Sequence, residues 1–287
     1  MELGINTFFI DVNESHNLGL KRVEIVTTSK EKALSDAEKA YKYSMKYSIH
    51  LPVFLPEWFK SGQWDVFFCD SSPEKRELSF NLLEENLNFI KDFDAEYSIS
   101  HFGGIMPLLP EEELESYSEI VNQSISRIET LAQKYGVNLL LEYFGLNKNL
   151  YKPEDWVGLV NKRNKLSLLL DTGHLYFSCF HNDLDLQASL KKLAPNATAF
   201  HIWNTKGSDH YWEYHHVAPN PSQNIVDGWA FSIPSLIQEL NSYNPSAPLI
   251  IEPNVIFGGK EYIIESIKRM TEILETPHFQ DCIIPNR

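Results

Sequence analysis

Apolar residues along the chain fall into two alternating kinds of stretch. Short, nearly continuous runs of Leu, Ile, Val and Phe are separated by longer stretches in which apolar residues recur every three or four positions. The first kind predicts strands covered on both faces, the second helices with one apolar side. Strands are predicted at 3–9, 21–27, 47–53, 96–102, 137–143, 166–171, 197–203 and 249–253. Helices are predicted at 31–45, at 74–91 with Leu78, Leu82, Leu83, Leu87 and Ile90 on one side, and at 111–135, closed by Gly136. The segments PEDW at 153–156 and SIPSL at 232–236 start helices with Pro in the first turn. Eight strands alternating with helices predict an α/β fold, a (β/α)8 barrel, over residues 1–287 as one domain. The competitor, a doubly wound open sheet, calls for a Gly-rich first turn, and GINTFF has none.

In such a barrel, chemistry sits at the C-terminal strand ends. From the third strand to the eighth, each end carries a side chain able to bind a metal. The series is His50, His101, Glu142, Asp171 followed by His174, His201, and Glu252. After the seventh strand, HYWEYHHVAP adds Glu213, His215 and His216. A single His at a strand end is ordinarily a hydrogen-bonded structural residue. Glu142 and Glu252 are different, because each follows three apolar residues in a strand buried on both faces. An unpaired carboxylate there costs several kcal/mol or neutralises itself. A cation removes that cost. In LSLLLDTGH, Asp171 is expected to face the barrel mouth, with Thr172 and Gly173 turning the chain so that His174 reaches the same cavity. A mixed imidazole and carboxylate set suits zinc, manganese or another first-row ion.

Composition narrows the field. The formal net charge of −14, with no dense Lys/Arg run, disfavours DNA as a partner. No stretch is long and apolar enough to span a bilayer, and MELGINTFFIDVN has no basic residue before its apolar part, so neither a membrane nor a secretory signal is expected. Cys69, Cys179 and Cys282 are odd in number and widely spaced, which points to a reducing, cytoplasmic setting without disulfides.

These motifs together resemble the xylose-isomerase-like TIM-barrel superfamily, which also contains endonuclease IV, over nearly the whole chain. The resemblance rests on Glu142, DTGH at 171–174, His201 and Glu252. It implies that Glu142, Asp171, His201 and Glu252 hold one divalent ion, as in the superfamily's sugar isomerases and epimerases, whose two glutamates also move protons. Endonuclease IV-like enzymes hold three ions, and their further ligands match His50, His101, His174, Glu213 (in place of Asp) and His215, or His216 after a one-residue shift. HIWNTK keeps a Lys at 206 where those enzymes have H-x-N-D-S-K. Departures exist: Asn204 and Gly207 stand where isomerases carry Asp and Arg, and EYF replaces Glu-Asn at the fifth strand.

The resemblance implies one to three divalent ions per chain, zinc or manganese, and two reactions. One is phosphoester hydrolysis of a small molecule, with Glu142, Glu252 and His174 catalytic, Lys206 and His216 on the substrate, and clustered ions clamping a phosphoryl group. The other is sugar or sugar-phosphate isomerisation with one ion, paired glutamates, and His50 and His101 on substrate hydroxyls. The aromatic loop at 51–68 bears on the choice. Its rings, Trp58 and Trp64 among them, either form a small satellite core or line a wide pocket for a bulky phosphodiester with a planar group.

Overall fold

Eight parallel strands close into a barrel in sequence order, with the last strand pairing back onto the first. They are β1 Leu3–Asn6, β2 Arg22–Ile25, β3 Lys46–His50, β4 Ser98–His101, β5 Leu139–Tyr143, β6 Leu166–Asp171, β7 Ala197–Ile202 and β8 Leu249–Ile251. The structure, a computed structural model, describes residues 1–276; Cys282 lies outside the described residues. Every expected strand forms, and the open sheet is excluded by closure. Several strands end earlier than expected. Pro52 and Pro253 follow β3 and β8 closely, and a proline has no N–H to offer the ladder.

The helices packed outside the barrel are α1 Val12–Asn17, α2 Lys30–Lys42, α3 Pro73–Ile90, α4 Leu114–Tyr135, α5 Pro153–Val160, α6 Thr172–Asn182, α7 Leu186–Leu193, α8 Tyr211–Tyr214, α9 Ile233–Tyr243 and α10 Gly259–Glu275. Gly136 closes α4 in the left-handed conformation, at φ 73°. Leu78, expected on the buried side of α3, is exposed instead, and Phe80 takes its place in the core. No helix among the described residues is long and apolar enough to cross a membrane.

Two apolar clusters divide the interior. The large one lies between strands and helices and includes Leu139, Leu141, Leu168 and Leu170. The small one, Tyr97, Ile99, Leu140, Leu169 and Ala199, fills the barrel itself. Side chains alternate along a strand, so residues two further on share the same face. Stepping two residues from Ile99, Leu140, Leu169 and Ala199 gives His101, Glu142, Asp171 and His201. The plug of apolar side chains is therefore the floor on which the donor groups stand.

The passage from β6 to α6 differs from the sequence expectation. Thr172 and Gly173 do not turn the chain; they are the first residues of α6, and Asp171 is its N-cap. Asp171 Oδ1 accepts from the backbone N–H of His174 at 2.7 Å. The strand feeds the helix directly, which is why the two side chains face one cavity. Gly173 is required there, because a Cβ would lie 2.1 Å from the Trp203 ring.

Replacing Leu169 by Ala should hollow the floor beneath Asp171. Urea unfolding should show a loss of about 2–5 kcal/mol, the usual range for a buried Leu→Ala change; a loss below the lower figure would mean that the plug carries no packing.

Candidate metal centre

Two sets of donor atoms converge at the C-terminal mouth, and they share one residue. His50, His101 and Glu142 form the first, and Glu142, Asp171, His201 and Glu252 the second, with the donors of each set within 4.8 Å of one another. Glu142 lies between them. Its Oε2 is 3.1 Å from Nε2 of His50 and 3.1 Å from Nε2 of His101. Its Oε1 is 3.7 Å from His201 Nδ1 and 3.6 Å from His174 Nε2. His201 Nδ1 in turn faces Glu252 Oε2 at 3.4 Å and Asp171 Oδ2 at 3.9 Å.

The second layer orients these groups. His50 Nδ1 lies 3.1 Å from the Leu51 carbonyl, so its N–H belongs there and Nε2 is left to face the cluster. His201 Nε2 lies 3.2 Å from Glu24 Oε2, which leaves Nδ1 inward. Ser48 donates to the same Glu24 oxygen at 3.1 Å. Trp203 donates to Asp171 Oδ2 at 2.8 Å and stacks on His216 with ring centroids 4.1 Å apart. Ring orientation by a carboxylate or carbonyl behind it is the usual support of a metal-binding His.

The residues fit a divalent cation. Glu142 Oε1, His201 Nδ1 and Glu252 Oε2 are buried without a hydrogen-bond partner. Glu24, Glu142 and Asp171 are fully buried, and Glu252 nearly so. Among the described residues, none of these four carboxylates pairs with Lys or Arg; every ion pair they make is to His. Arg22, two residues from Glu24, is committed to Glu2 and Glu96. Uncompensated charge on this scale is untenable in a dry interior unless protons or cations neutralise it.

The protonation pattern carries the same strain. Burial, with the Glu142 and Glu252 charges adding to it, pushes the Asp171 carboxyl well above its ordinary range. Burial opposes charge on Glu142 too, but His101, His201 and His50 hold it well below the ordinary range. Burial also opposes the His201 imidazolium, yet Glu24 and Glu252 raise it well above its ordinary value. At the rim, burial drives His174 down to about 3 and His215 down to about 2.

Not every expected site residue joins. His174 stands at the edge of the cluster, and His216 reaches Glu252, with Nδ1 3.0 Å from its carbonyl and 3.5 Å from Oε2. His215 packs beside Trp203 and Tyr211 and lines the cavity above. Glu213 is exposed on α8 and lies in neither donor set, nor do His174 and His215, so of the further ligands expected only His50 and His101 join Glu142. The helical turn points Glu213 outward, whereas His215 and His216 line the cavity. Lys206 is held over the rings of Tyr214 and Trp229, at 4.9 and 5.1 Å, outside the cavity. Trp64 lines the cavity, whereas Trp58 is outside it and donates to Glu85 at 2.8 Å. Glu24 is absent from the series of donors expected from the sequence. Its signal is present, a carboxylate inside the apolar run VEIV, but Lys21 and Arg22 before it mimic surface polarity.

Residues 3–273 match the model of a family described as xylose isomerase-like TIM barrel. No curated protein matches the chain. Among solved structures, a D-tagatose 3-epimerase-like protein is 18% identical with a TM-score of 0.69, covering 98% of this chain and 100% of that one. Endonuclease IV from Thermus thermophilus is 17% identical with a TM-score of 0.63, covering 98% and 99%. The IOLI protein with a binding zinc atom is 18% identical with a TM-score of 0.65, covering 95% and 96%. At these identities the likeness is one of fold.

Two outcomes follow from the geometry. Zinc titrated into the protein should displace protons, because burial beside Glu142 and Glu252 favours the protonated form of Asp171, Glu24 and Glu252 favour that of His201, and a cation needs those protons gone. Apparent affinity should therefore rise with pH, and calorimetric heats should scale with the buffer's ionisation enthalpy; buffer-independent heats would contradict this. Glu24→Gln should weaken zinc binding by about 10–100-fold, as loss of such second-layer support does, while circular dichroism stays unchanged.

Proposed function

This chain belongs to the xylose isomerase-like TIM barrel family, and we propose that it is a divalent-metal-dependent hydrolase acting on a phosphoester of a small molecule. The observation that carries this reading is Glu142, shared between two donor sets so that one carboxylate can bridge two ions. Charge supports it as well. Two divalent ions would balance the four buried carboxylates Glu24, Glu142, Asp171 and Glu252 without a proton, whereas one ion would need protons kept on Asp171 and His201. When bound, such ions neutralise charge on a phosphoryl oxygen and make a water acidic enough to ionise near neutral pH.

The side chains divide the remaining work by exposure. The Glu142 and Asp171 side chains are 1% and 0% exposed, and Glu252 is 15% exposed. Glu142 and Asp171 thus anchor, while Glu252 borders the cavity and is the carboxylate placed to accept a proton from an attacking water. His174, kept neutral by burial, meets the substrate as a hydrogen-bond partner rather than a charge. His50 and His101 complete the first donor set.

The second reading is one-ion isomerisation or epimerisation of a sugar, in line with the fold likeness to the D-tagatose 3-epimerase-like protein. It needs both Glu142 and Glu252 to reach a substrate carbon. Glu142 lies deeper than Glu252, with His50 and His101 on Oε2 and His174 and His201 beside an Oε1 that has no hydrogen-bond partner, and the donor set of Glu142, Asp171, His201 and Glu252 supports this reading as well.

Elemental analysis decides between them. Wild-type protein purified without chelator should carry two ions per chain, and His101→Ala should carry one and lose most phosphodiesterase activity. A ratio of one in both proteins, with only a raised KM in the variant, would replace hydrolysis by isomerisation.

A further inference from the structure

The cavity above the donor groups is walled by rings. It encloses about 360 Å³ and has His101, His174, His216 and Glu252 at its base. Five separate segments supply aromatic walls: Phe8 and Phe9 after β1, Trp64 from the loop between β3 and α3, Phe144 after β5, Phe177 in α6, and Tyr211 in α8. Trp64 packs against His50 and His101 with centroids 5.0 and 5.4 Å apart, and Phe144 against His174 and His101 at 4.7 and 5.8 Å. The rings thus abut the donors. They are also left open, Phe8 being 55% and Trp64 43% exposed.

The missing chemistry matters equally. Among the described residues, no Lys or Arg lines this cavity. Lys206, the cation expected to face a phosphate, is held over Tyr214 and Trp229 instead. A substrate with a second phosphate away from the reacting centre would set that charge among rings with no counter-ion. A bare sugar would find hydrogen-bonding side chains in Asn6, Asn254, Tyr211, His174 and His215, but would meet the ring wall of Phe8, Phe9, Phe144 and Phe177 with its C–H faces alone. The volume is at the lower end for small-molecule sites, roughly 300–1,000 Å³, which admits one or two fused rings and a reacting group.

We propose that the part of the substrate remote from the reacting centre is a flat, uncharged aromatic ring system, gripped by Phe8, Trp64 and Phe144. This rests on the hydrolytic reading only for the reacting end. The rings offer faces and edges for stacked and edge-to-face contact, which requires no charge on the ligand.

The test uses zinc-loaded protein and three ligands that are not turned over as phosphoesters: 1-naphthylmethylphosphonate, methylphosphonate and 1-naphthol. Binding is measured by calorimetry. The naphthyl phosphonate should bind wild type about tenfold or more tightly than methylphosphonate, the gain expected of one good aromatic contact. Phe144→Ala should remove most of that gain and, because the ring also packs on His101 and His174, lower methylphosphonate affinity by a smaller factor. Phe8→Ala, a change at an exposed ring that the fold does not need, should remove part of it and guards against a Phe144 variant that fails to fold. Equal affinity for the two phosphonates, or a naphthyl gain that survives both variants, overturns the proposal while leaving the hydrolytic reading intact. Binding of 1-naphthol that is lost in the variants, together with no binding of methylphosphonate, supports the aromatic site and counts against the hydrolytic reading.

Discussion

Four carboxylates buried at one end of a parallel barrel, without a Lys or Arg among the described residues to pair with them, set the terms for the rest of the molecule. Glu24, Glu142, Asp171 and Glu252 project toward the same small volume as His50, His101 and His201. Each ionised carboxyl in such surroundings carries a desolvation penalty that a His partner offsets only in part. Protons are therefore favoured on His201 and Asp171, both raised, while the neighbouring imidazoles depress Glu142. A divalent cation held by these residues would take the place of those protons, and the same carboxylates would supply its affinity.

The barrel makes that concentration of charge possible by dividing its interior. Ile99, Leu140, Leu169 and Ala199 fill the tube with apolar volume, and the polar groups stand one pleat higher on the same strands. The passage from β6 to α6 then locks the geometry. Asp171 serves as helix cap through Oδ1 and takes the Trp203 indole N–H on Oδ2. Trp203 can approach because Gly173 has no Cβ, and the indole also stacks on His216. A candidate donor, a helix terminus and a rim histidine are thereby coupled through one indole ring.

Above this charged floor the walls turn apolar. The contrast sets donor groups at the base against rings from segments far apart in sequence. The likeness to a D-tagatose 3-epimerase-like protein and to endonuclease IV is one of fold.

Much of this was legible in the chain. The alternation of short apolar runs with helical periodicity determined a closed α/β barrel, and side chains at successive strand ends determined where donors gather, because a strand's period of two fixes which face a residue takes. Glu142, Asp171, His201 and Glu252 follow from that rule alone. Glu24 obeys it too, but was hidden by the charged residues before it. Loop and short-helix residues obey no such rule. Trp58 and Trp64 lie on one loop, yet only Trp64 enters the cavity; Glu213 and Lys206 sit in the expected motif, yet one faces water and the other packs on rings. Their directions are set by contacts with distant segments, among them Glu85, Tyr214 and Trp229. The local chain leaves those side chains several orientations of similar energy, and only the packed tertiary structure chooses among them.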